Sequence, residues 1–522
     1  TAFWDKICIE GLGSNTAKAV DSWRPIEFWW WFKSSRIVNF FGESCDTQGI
    51  DYTINEFPFF SYLLGDLHPH MMGGPFLIMF CPLCLAVSFK GSPSKLNKST
   101  LGLIVLIAIS GTTVSFVNMW SIPVAVIILL SVYFLRWISG YEHSLLNAMF
   151  VPASSIFLTA VILSPFLYSF QSSITGLHPS PVQTGIVHFL IIWGPLLILV
   201  VPYIVSQFWT TPVSLRWKKS LILASLVAFS PWIIRGILPA GISPEGPGFT
   251  GVAIPITALI FICTTTAMSK IQSAGLTRQS IVLLLMSLGL MLILIPELIY
   301  VGDMYGNRMN TVFKFHYQAW ILLSVSTGIV VHFWTQKYYS SKNKNRWLLR
   351  FWGACSLAIL LMGMYYAPAA IATKTNESNF KSFDGLIFLD ERNSDTRNAI
   401  NFVRSEISKS DGLLEAVGEW GNSGIISMNT GIPNVVNWPG HQKQWRGDSI
   451  NIEQRVLDVK TIYETSDLNL AKELLAKYRV RYIVVGPNET QAYGTLGLSK
   501  FKSMGARVFG SHPNIEIYKL QN

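Results

Sequence analysis

The stretch "IVLLLMSLGLMLILIPELIY", residues 281–300, decides the fold class of this chain. Its residues are apolar or small except for Glu297, which lies close to one end. Twenty helical residues rise about 30 Å, which matches the hydrocarbon thickness of a bilayer. The stretch therefore predicts a transmembrane helix.

Nine further apolar blocks of similar length predict the same kind of helix. Half of the chain is hydrophobic, 13% is charged and the mean hydropathy is +0.38, whereas about a quarter of a typical soluble protein is charged. The ten predicted helices cover about residues 70–89, 100–119, 122–139, 146–168, 186–206, 220–238, 251–268, 281–300, 318–336 and 348–367. We therefore expect a polytopic α-helical membrane protein.

The chain after about residue 373 has a different composition, with 18 Lys and Arg and 17 Asp and Glu in its last 150 residues. "TRNAINFVRSEI" and "LNLAKELLAKYRV" predict amphipathic helices, and "GLLEAVGE", "RYIVVGP" and "NIEIYKL" predict strands. We expect a soluble α/β domain over 373–522, a membrane domain over 69–368, and an outer-face segment over 1–68 with an interfacial helix rich in aromatic residues.

Most of the net charge of +10 belongs to the membrane part and indicates orientation, not nucleic-acid binding. The soluble tail carries +1, which leaves +9 in the rest, and that excess lies in alternate loops. These loops contain Lys90, Lys95, Lys98, Arg136, Arg216, Lys218, Lys219, Lys270, Arg278, Lys337, Lys342, Lys344, Arg346 and Arg350. By the positive-inside rule they are cytoplasmic. The segment before the first helix, the other loops and the C-terminal domain are then extracytoplasmic.

A first cluster of ionisable residues lies in "FPFFSYLLGDLHPHMMGGPF", residues 57–76, which contains Asp66, His68 and His70. The apolar run from Pro75 is too short to cross a bilayer, so we expect the helix to begin near Pro69. Its glycines and prolines favour an irregular helix that lines a cavity. Ionisable groups at such a place are functional candidates, although a polar helix cap in the headgroup region is the alternative.

The same three residues, Asp66, His68 and His70, raise the question of a metal. They alternate along the chain, so in an extended segment their side chains would share one side. Two imidazoles and a carboxylate suit a divalent first-row metal. A hydrogen-bonded set around a phosphate fits the pattern equally well.

A second cluster lies in "PELIYVGDMYGNRMNTVFKFHYQAW", residues 296–320, which we expect to be an outer loop running into the ninth helix. It contains Glu297, Asp303, Arg308, Asn310, Lys314 and His316. Arg308 and Lys314 suit a phosphate, and the acidic members suit orientation of these cations or a metal. An ordinary ion-paired loop is the alternative. Because both clusters lie on one side, we predict that Asp66, His68 and His70 face Arg308 and Lys314 across one cavity.

A third cluster lies in the C-terminal domain, in "TGIPNVVNWPGHQKQWRGD", residues 430–448, where we expect a loop. Trp445 beside Arg446 suits a sugar and an anion, with His441 nearby, although a contact between the domain and the membrane fits as well. We expect this domain to lie over the cavity. His178 and Glu245, in two further outer loops, are weaker candidates.

Three motifs, in order, resemble the Chlor-Arch-YYY family of large polytopic membrane proteins, over the chain from about Trp29 to its end. They are the first cluster, "GDMYGNRMNTVFKFHYQAW" of the second, and "LLEAVGEWGNSGIISMNTGIPNVVNWPGHQKQWRG", residues 413–447, which includes most of the third. The layout more loosely resembles the GT-C superfamily of membrane glycosyltransferases. That second resemblance implies a polyprenyl-phosphate sugar as donor and a soluble domain on the outer face.

This sequence differs from these two families in two ways that affect the predicted function. The triple tyrosine of the first family belongs to an N-terminal membrane region, and this chain begins at Thr1 without a predicted helix before residue 57. We therefore expect a fragment or a split half whose N-terminal membrane half is absent, together with the catalytic carboxylate that GT-C enzymes carry there. Ser121 stands in "NMWS" where the first family implies an acidic residue.

The leading hypothesis is a GT-C-like glycosyltransferase of the cell envelope that uses a polyprenyl-phosphate sugar on the outer face. In it Asp66 is the base or a metal ligand, and His68 and His70 orient it or share the metal. Arg308 and Lys314 hold the lipid phosphate. Asp303, Asn310, His316, His441, Trp445 and Arg446 complete the predicted substrate-binding set. A transporter or flippase, and a non-catalytic envelope scaffold, are the alternatives.

Overall fold

The computed structural model describes residues 20–21, 23–25, 27–38, 51–65, 67–88, 97–170, 174–212, 217–239, 251–340, 346–376, 382–392, 394–419, 421, 423–446, 451–511 and 513–521. Its contacts divide into two compact units. The first comprises Thr1–Tyr168 and Ile174–Thr375, and the second comprises Ser169–Ser173 and Asn376–Asn522. Two predicted site residues, Asp66 and Glu245, lie outside the described residues, as do the side chains of Trp445 and Arg446.

The first unit opens with short elements and continues with a helix for each of the ten predicted apolar blocks. The short elements are β1 (Val20–Asp21), β2 (Arg24–Pro25), α1 (Trp30–Lys33) and α2 (Pro58–Leu64). The apolar helices are α3 (Pro69–Ser88), α4 (Lys98–Val117), α5 (Ile122–Ile138), α6 (Leu145–Ser169), α7 (Ile186–Thr210), α8 (Trp217–Ile237), α9 (Ala253–Ala274), α10 (Arg278–Leu298), α11 (Met309–Ser340) and α12 (Arg346–Met364), followed by α13 (Tyr366–Asn376).

Within the described residues, nine helical stretches are long and apolar enough to cross a membrane, and Pro69–Leu85 forms a shorter apolar helix. The predicted polytopic α-helical fold is therefore confirmed. The first apolar helix, α3, is one helix from Pro69 to Ser88 with Pro75 and Pro82 inside it, so the predicted irregularity stays a prediction.

The centre of the first unit is formed by α9, α10 and α11. Leu283, Leu290 and Ile293 on α10 are completely buried. A Cβ atom added to Gly289 of α10 would lie 2.9 Å from Leu323 Cδ2 of α11, so this glycine permits close approach of the two helices. The packing fixes the end of α10 beside the beginning of α11, and both contribute to the candidate site.

The chain turns sharply between α2 and α3. Gly65 ends α2 with a φ angle of 77°, a left-handed conformation that glycine adopts without steric cost. Helix α3 then begins at Pro69, as the sequence predicts. A Cβ atom at Gly73 would lie 3.1 Å from Asn118 Cβ, so α3 passes close to the turn between α4 and α5.

The ninth predicted helix is longer than expected, because α11 begins at Met309 and not near residue 318. Asn310, Lys314 and His316 therefore lie on a helix, whereas the sequence suggested a loop. The extension is favoured by burial, since Val312 and Phe313 are at most 5% exposed. Only the part from Ile299 to Arg308 connects α10 to α11.

Two loops that we expect on the same side of the membrane are joined by a small antiparallel sheet. Strand β3 (Gly176–Pro179) pairs with β4 (Ile299–Gly302), with His178 opposite Tyr300. The rings of His178 and Tyr300 are stacked with their centroids 5.5 Å apart. His178 thus packs within this sheet.

The second unit is an α/β domain, as predicted. Its helices are α14 (Phe388–Arg392), α15 (Ser394–Glu406), α16 (Ile425–Thr430), α17 (Pro439–Arg446), α18 (Ile452–Glu464), α19 (Leu468–Lys477), α20 (Pro487–Tyr493) and α21 (Phe501–Met504). Its strands are β5 (Gly412–Leu414), β6 (Val480–Val485), β7 (Gly505–Phe509) and β8 (Glu516–Leu520), in the order β5-β6-β8-β7. Strands β5 and β6 are parallel, and β8 is antiparallel to both of its neighbours.

Side chains alternate along β6 between two hydrophobic clusters. Tyr482 and Val484 pack with Ile400 of α15, whereas Ile483 packs with Ile462 of α18. This alternation is the period of two that a strand imposes, and it places helices on both faces of the sheet.

Two details of the α/β domain differ from the expectation. Strand β5 ends at Leu414, because the chain then turns and Glu415 accepts hydrogen bonds from the backbone N–H groups of Ile426 and Ser427 at 3.0 and 2.8 Å. The segment expected to be a loop over residues 430–448 contains the helix α17, which begins at Pro439.

Candidate functional site

The first motif and the second motif meet at His70. Its Nε2 atom lies 3.0 Å from Glu56 Oε2, and its Nδ1 atom lies 3.5 Å from Lys314 Nζ. Because Glu56 carries a carboxylate, Nε2 is the nitrogen that donates, and Nδ1 is left to accept from the ammonium group. The imidazole is thus held between a carboxylate and an ammonium group. We call these three residues the Glu56–His70–Lys314 cluster.

Local chain geometry brings Glu56 to His70. Glu56 precedes α2, and His70 is the second residue of α3, so the sharp turn at Gly65 returns the chain to its starting point. Ser61 of α2 donates a second hydrogen bond to Glu56 Oε2 at 2.7 Å. Burial by itself would raise the pKa of Glu56, but the hydrogen bonds from His70 and Ser61 bring that pKa below its usual value. The carboxylate is therefore maintained in its charged form.

Aromatic rings form the wall of the cluster. The ring of His70 lies 4.3 Å from that of Phe313 and 4.8 Å from that of Tyr317, centroid to centroid. Lys314 Nζ lies 3.7 Å from the centroid of Phe313, which is a cation–π distance. The ring of His68 lies 5.3 Å from that of His70. His68 and His70 are therefore neighbours, as the sequence predicts, and Lys314 approaches them from α11.

Arg308 lies in a separate, completely buried network. Its Nε donates to Asp51 Oδ2 at 2.8 Å, its Nη1 to Glu297 Oε1 at 3.1 Å and its Nη2 to Thr184 Oγ1 at 3.3 Å. Thr184 also donates to both oxygens of Glu297. Burial would lower the pKa of Arg308, but the charges of Glu297 and Asp51 raise it above its usual value. The guanidinium is permanently charged and paired.

This network changes the interpretation of Arg308. We predicted that it contacts a lipid phosphate, yet its side chain is 0% exposed and its three nitrogens donate to Asp51, Glu297 and Thr184. These contacts agree with the alternative interpretation of the second cluster, an ordinary ion-paired loop. Arg308 braces the segment before α2 against the end of α10 and the start of α11.

The other predicted residues of the second motif lie apart from His70. Asp303 accepts from Asn310 Nδ2 at 2.5 Å and from the backbone N–H of Tyr305 at 2.9 Å, so this pair stabilises the turn before α11. His316 is 2% exposed and packs edge-on against Trp193, with the centroids 5.3 Å apart. Among the described residues, neither ring nitrogen of His316 has a hydrogen-bond partner. Among the ionisable residues of the second motif that the structure describes, Lys314 is the one that contacts His70, and Phe313 and Tyr317 pack against the same ring.

A third segment completes the surroundings of the cluster. Gln318, one turn after Lys314, donates to the backbone carbonyl of Trp120 at 3.1 Å. Asn118 donates to Ser121 Oγ at 3.0 Å, in the turn that Gly73 allows α3 to approach. Ser121, where the family resemblance implied an acidic residue, is buried in this turn.

Asp51 and Glu56 were not among the site residues predicted from the sequence. Both lie in "DYTINEF", directly before the quoted motif, and both are buried although they are acidic. Asp51 pairs with Arg308 and Glu56 with His70, so this short segment connects the two networks. The sequence feature that could have identified them is the presence of two isolated acidic residues upstream of a motif rich in histidine.

The prediction of a metal site depends on a residue outside the described part of the chain. Asp66 is that residue, and no group of three or more His, Cys, Asp and Glu side chains among the described residues could hold a metal ion. His70 already directs one ring nitrogen to Glu56 and the other to Lys314. A metal at His70 would have to displace one of these partners.

The predicted residues of the α/β domain lie on α17. The ring of His441 lies 5.5 Å from that of Trp438, and the backbone N–H of Gly440 donates to Glu419 Oε1 at 2.5 Å. Trp438 has a φ angle of 46°, which is unusual for a residue other than glycine. A role of His441, Trp445 and Arg446 in substrate binding stays a prediction.

Comparison with known proteins gave a family match and a likeness to solved structures. Residues 3–323 match the profile of a family described as an uncharacterized membrane protein (DUF2298). A crystal structure of the oligosaccharyltransferase of Archaeoglobus fulgidus, tethered to an acceptor peptide through a disulfide bond, is similar to 87% of this chain with 12% identity and a TM-score of 0.35. The chain spans 56% of the length of that protein. No curated protein matches it.

The matched residues cover more than half of the chain and include both membrane motifs, the Glu56–His70–Lys314 cluster and the Arg308 network. The chain therefore belongs to the DUF2298 family of membrane proteins.

Proposed function

We propose that this protein is a GT-C-like membrane glycosyltransferase that moves a sugar from a polyprenyl-phosphate donor to an acceptor on the outer face of the membrane. The observation that carries the proposal is the Glu56–His70–Lys314 cluster. It places a carboxylate, an imidazole and an ammonium group in one row at the start of two membrane helices. A sugar transfer needs both a cation for the leaving phosphate and a group that accepts the proton of the incoming hydroxyl.

The proposed catalytic roles of Lys314 and Asp66 follow from the charge and the proton that the transfer releases. In the transfer, the bond between the anomeric carbon and the phosphate oxygen breaks, and a bond from the acceptor oxygen to the anomeric carbon forms. The polyprenyl phosphate that leaves gains negative charge, which the ammonium group of Lys314 stabilises. The proton of the acceptor hydroxyl passes to a base, for which we propose Asp66, with His68 beside it.

His70 is a positioning residue in this proposal. Its hydrogen bond to Glu56 fixes the ring and the tautomer, and its Nδ1 atom then orients the ammonium group of Lys314. The role that we first assigned to Arg308 changes accordingly. Lys314 holds the phosphate, and Arg308 maintains the architecture around it.

The membrane topology predicted from the charge pattern supports the same proposed function. The alternating Lys and Arg clusters assign the start of α3, the start of α11 and the C-terminal domain to the outer face. The resemblance to the Chlor-Arch-YYY family and the looser one to GT-C enzymes agree with this layout. We also propose that the C-terminal domain contributes to substrate binding through His441, Trp445 and Arg446.

The test is a transfer assay with Lys314→Met, which keeps the length of the side chain and removes its charge. Membranes containing the full-length protein are incubated with radiolabelled polyprenyl-phosphate sugars, and transfer to any acceptor is measured. We expect about a hundredfold less transfer than with the unmodified protein, since a single charged contact to the transition state contributes roughly 3 kcal/mol.

The matched control is Lys270→Met, at the end of α9 that the charge pattern assigns to the cytoplasm. It should transfer like the unmodified protein. Equal transfer by both variants, or no transfer by the unmodified full-length protein with any donor, would contradict the proposal. Movement of the lipid across the membrane without sugar transfer would favour the flippase alternative.

A further inference from the structure

Two cations lie where the segment before α2 meets α13. Arg24 Nη1 donates to Thr373 Oγ1 at 3.0 Å, so Arg24 lies close to Lys374, the next residue of α13. Lys374 donates to two backbone carbonyls at the end of α2, and its Nζ lies 5.4 Å from the ring centroid of Trp31. The charge pattern assigns this end of the first unit to the outside.

A third cation, Arg36, continues the same row of aromatic rings. Its guanidinium lies 4.5 Å from the ring centroid of Phe32, and that ring lies 6.0 Å from the ring of Trp31. Its Nε donates to the hydroxyl group of Tyr52 at 2.7 Å, and its Nη1 donates to the carbonyl and hydroxyl oxygens of Ser35. Tyr52 is 42% exposed, so the contact between Arg36 and Tyr52 reaches the surface.

Arg24, Arg36 and Lys374, which we call the cationic surface, have no acidic partner among the described residues. Their hydrogen bonds go to hydroxyl and carbonyl oxygens, which are neutral. The acidic side chains within residues 23–38 and 51–65 each have a basic residue as partner, in the pairs Glu27–Lys33, Asp51–Arg308 and Glu56–His70. In the described part of the chain, the three positive charges are therefore not neutralised.

Two buried donors in the same segments add to this excess. Trp31 Nε1 and Asn55 Nδ2 have no acceptor among the described residues, although these side chains are 2% and 1% exposed. Asn55 lies close to Arg36, because its backbone N–H donates to the same carbonyl of Ser35, at 2.9 Å. Buried donors normally have an acceptor. The region thus presents donors and positive charge but few acceptors, which is the complement of an anionic group.

The position of the cationic surface along the membrane normal fits a phospholipid headgroup. The apolar stretch Leu349–Thr375 has 27 residues, which rise about 40 Å as helix, whereas the hydrocarbon is about 30 Å thick. Because the charge pattern assigns Arg350 to the cytoplasmic side, the end that carries Lys374 reaches the level of the outer headgroups. Trp23 and Trp29 are 49% and 54% exposed, and tryptophan is enriched at this level of a bilayer.

We propose that the cationic surface binds the headgroup of an anionic phospholipid, phosphatidylglycerol for example, in the outer leaflet. A zwitterionic phospholipid carries the same phosphate, but the ammonium group of its own headgroup compensates the charge. Three cations without acidic partners therefore select the lipid whose headgroup has a net negative charge. The inference does not depend on the proposed function, because it involves neither a sugar nor a transfer step.

The experiment measures competition between two lipids for the purified protein. The full-length protein in detergent is mixed with equal amounts of phosphatidylglycerol and phosphatidylcholine with identical acyl chains, and the retained lipids are quantified by mass spectrometry. We expect the unmodified protein to prefer phosphatidylglycerol roughly tenfold, and the variant Arg24→Gln/Arg36→Gln/Lys374→Gln to retain the two lipids about equally.

The matched control removes the same charge from the α/β domain. Lys409→Gln/Lys460→Gln/Lys472→Gln changes three exposed residues, and this variant should keep the preference of the unmodified protein. Equal retention of both lipids by the unmodified protein would overturn the proposal. An equal loss of preference in both triple variants would overturn it as well, because net charge alone would then explain the result.

A second measurement leaves all three cations in place, since Arg36 is 7% exposed and its substitution could affect folding. A photoreactive residue is placed at Trp29, or at Phe157 of α6, which is 71% exposed in an apolar helix. Each protein is irradiated in bilayers that contain the two lipids in equal amounts. Enrichment of phosphatidylglycerol among the cross-links from position 29, but not from position 157, supports the proposal. The same lipid ratio at both positions contradicts it.

Discussion

Glu56 and His70, which are 14 positions apart in the chain, share a buried 3.0 Å hydrogen bond that closes the turn between α2 and α3. The bond fixes which ring nitrogen of His70 carries the proton, and it thereby determines what the other nitrogen presents to Lys314. Glu56, which precedes the first motif, thus determines how His70 contacts Lys314, although Lys314 lies more than two hundred residues later in the chain.

The first prediction concerns Glu56→Gln. We expect the free energy of unfolding to fall by about 1–3 kcal/mol, because a buried charge-assisted hydrogen bond becomes a neutral one. Since the folded-state pKa of Glu56 is below its unfolded value, the contribution of its charge is complete above the unfolded pKa and is lost as the pH falls through the folded one. Thermal unfolding in detergent, followed from neutral pH to below about pH 4, measures both effects. The variant should lose less stability in acid than the unmodified protein, and an equal loss would contradict the role of this carboxylate.

The second prediction concerns Arg308→Met, which removes the charge but preserves much of the buried volume. Asp51 and Glu297 would then be buried without their cation, so we expect a loss of about 3–5 kcal/mol and poor recovery of folded protein. The triple variant Arg308→Met/Asp51→Asn/Glu297→Gln, which removes all three charges, should recover part of that stability. If Arg308→Met were stable and defective only in phosphate binding, Arg308 would be a ligand and not a brace.

The third prediction concerns the α/β domain, where Glu489 is buried beside Glu415. Burial raises the pKa of Glu489 to about 7, and the charge of Glu415 adds to the effect. A raised folded-state pKa means that its contribution to stability is complete below the unfolded value near 4.5 and is lost as the pH rises through about 7. Hydrogen exchange of the β5 and β6 amides in the full-length protein should therefore show weaker protection at about pH 8 than at about pH 5, after correction for intrinsic rates.

The control for this effect is Glu489→Gln, whose side chain can still accept from the N–H of Ala416, as Glu489 does at 2.9 Å. Its protection should be independent of pH in this range. Glu453→Gln changes a carboxylate whose side chain is 81% exposed, and it should behave like the unmodified protein. A pH dependence that persists in Glu489→Gln would assign the titration to another group.

Hydrophobic periodicity was sufficient to predict the membrane helices, because the bilayer imposes length and apolarity on each helix separately. The start of α3 at Pro69 followed from the same argument, since a helix from Pro75 would have been too short. The start of α11 at Met309 could not be predicted in this way. Its first turns contain the polar residues Asn310, Lys314 and His316, which are typical of a loop, and the burial of the residues between them is known only from the structure.

The partners within the site were less predictable, because they depend on contacts between distant parts of the chain. Arg308 and Lys314 looked equivalent in the sequence, as two cations in one motif. Asp51, 257 positions away, pairs with the first, whereas His70, 244 positions away, meets the second. The residue type predicted an anion partner for Arg308, and only the fold identified that anion as a carboxylate of the chain itself.

The last prediction concerns topology, on which the proposed function depends. The five loops rich in Lys and Arg alternate with loops that lack such clusters, so we expect Lys344 to face the cytoplasm and the α/β domain to lie outside. In a variant without its six native cysteines, a single cysteine is introduced as Lys344→Cys or as Ser410→Cys, at an exposed position of the domain. A maleimide that cannot cross membranes should label Ser410→Cys in intact cells and Lys344→Cys only after permeabilisation. The reverse pattern would place the Glu56–His70–Lys314 cluster at the cytoplasmic face, and a transfer reaction on the outer face would then be excluded.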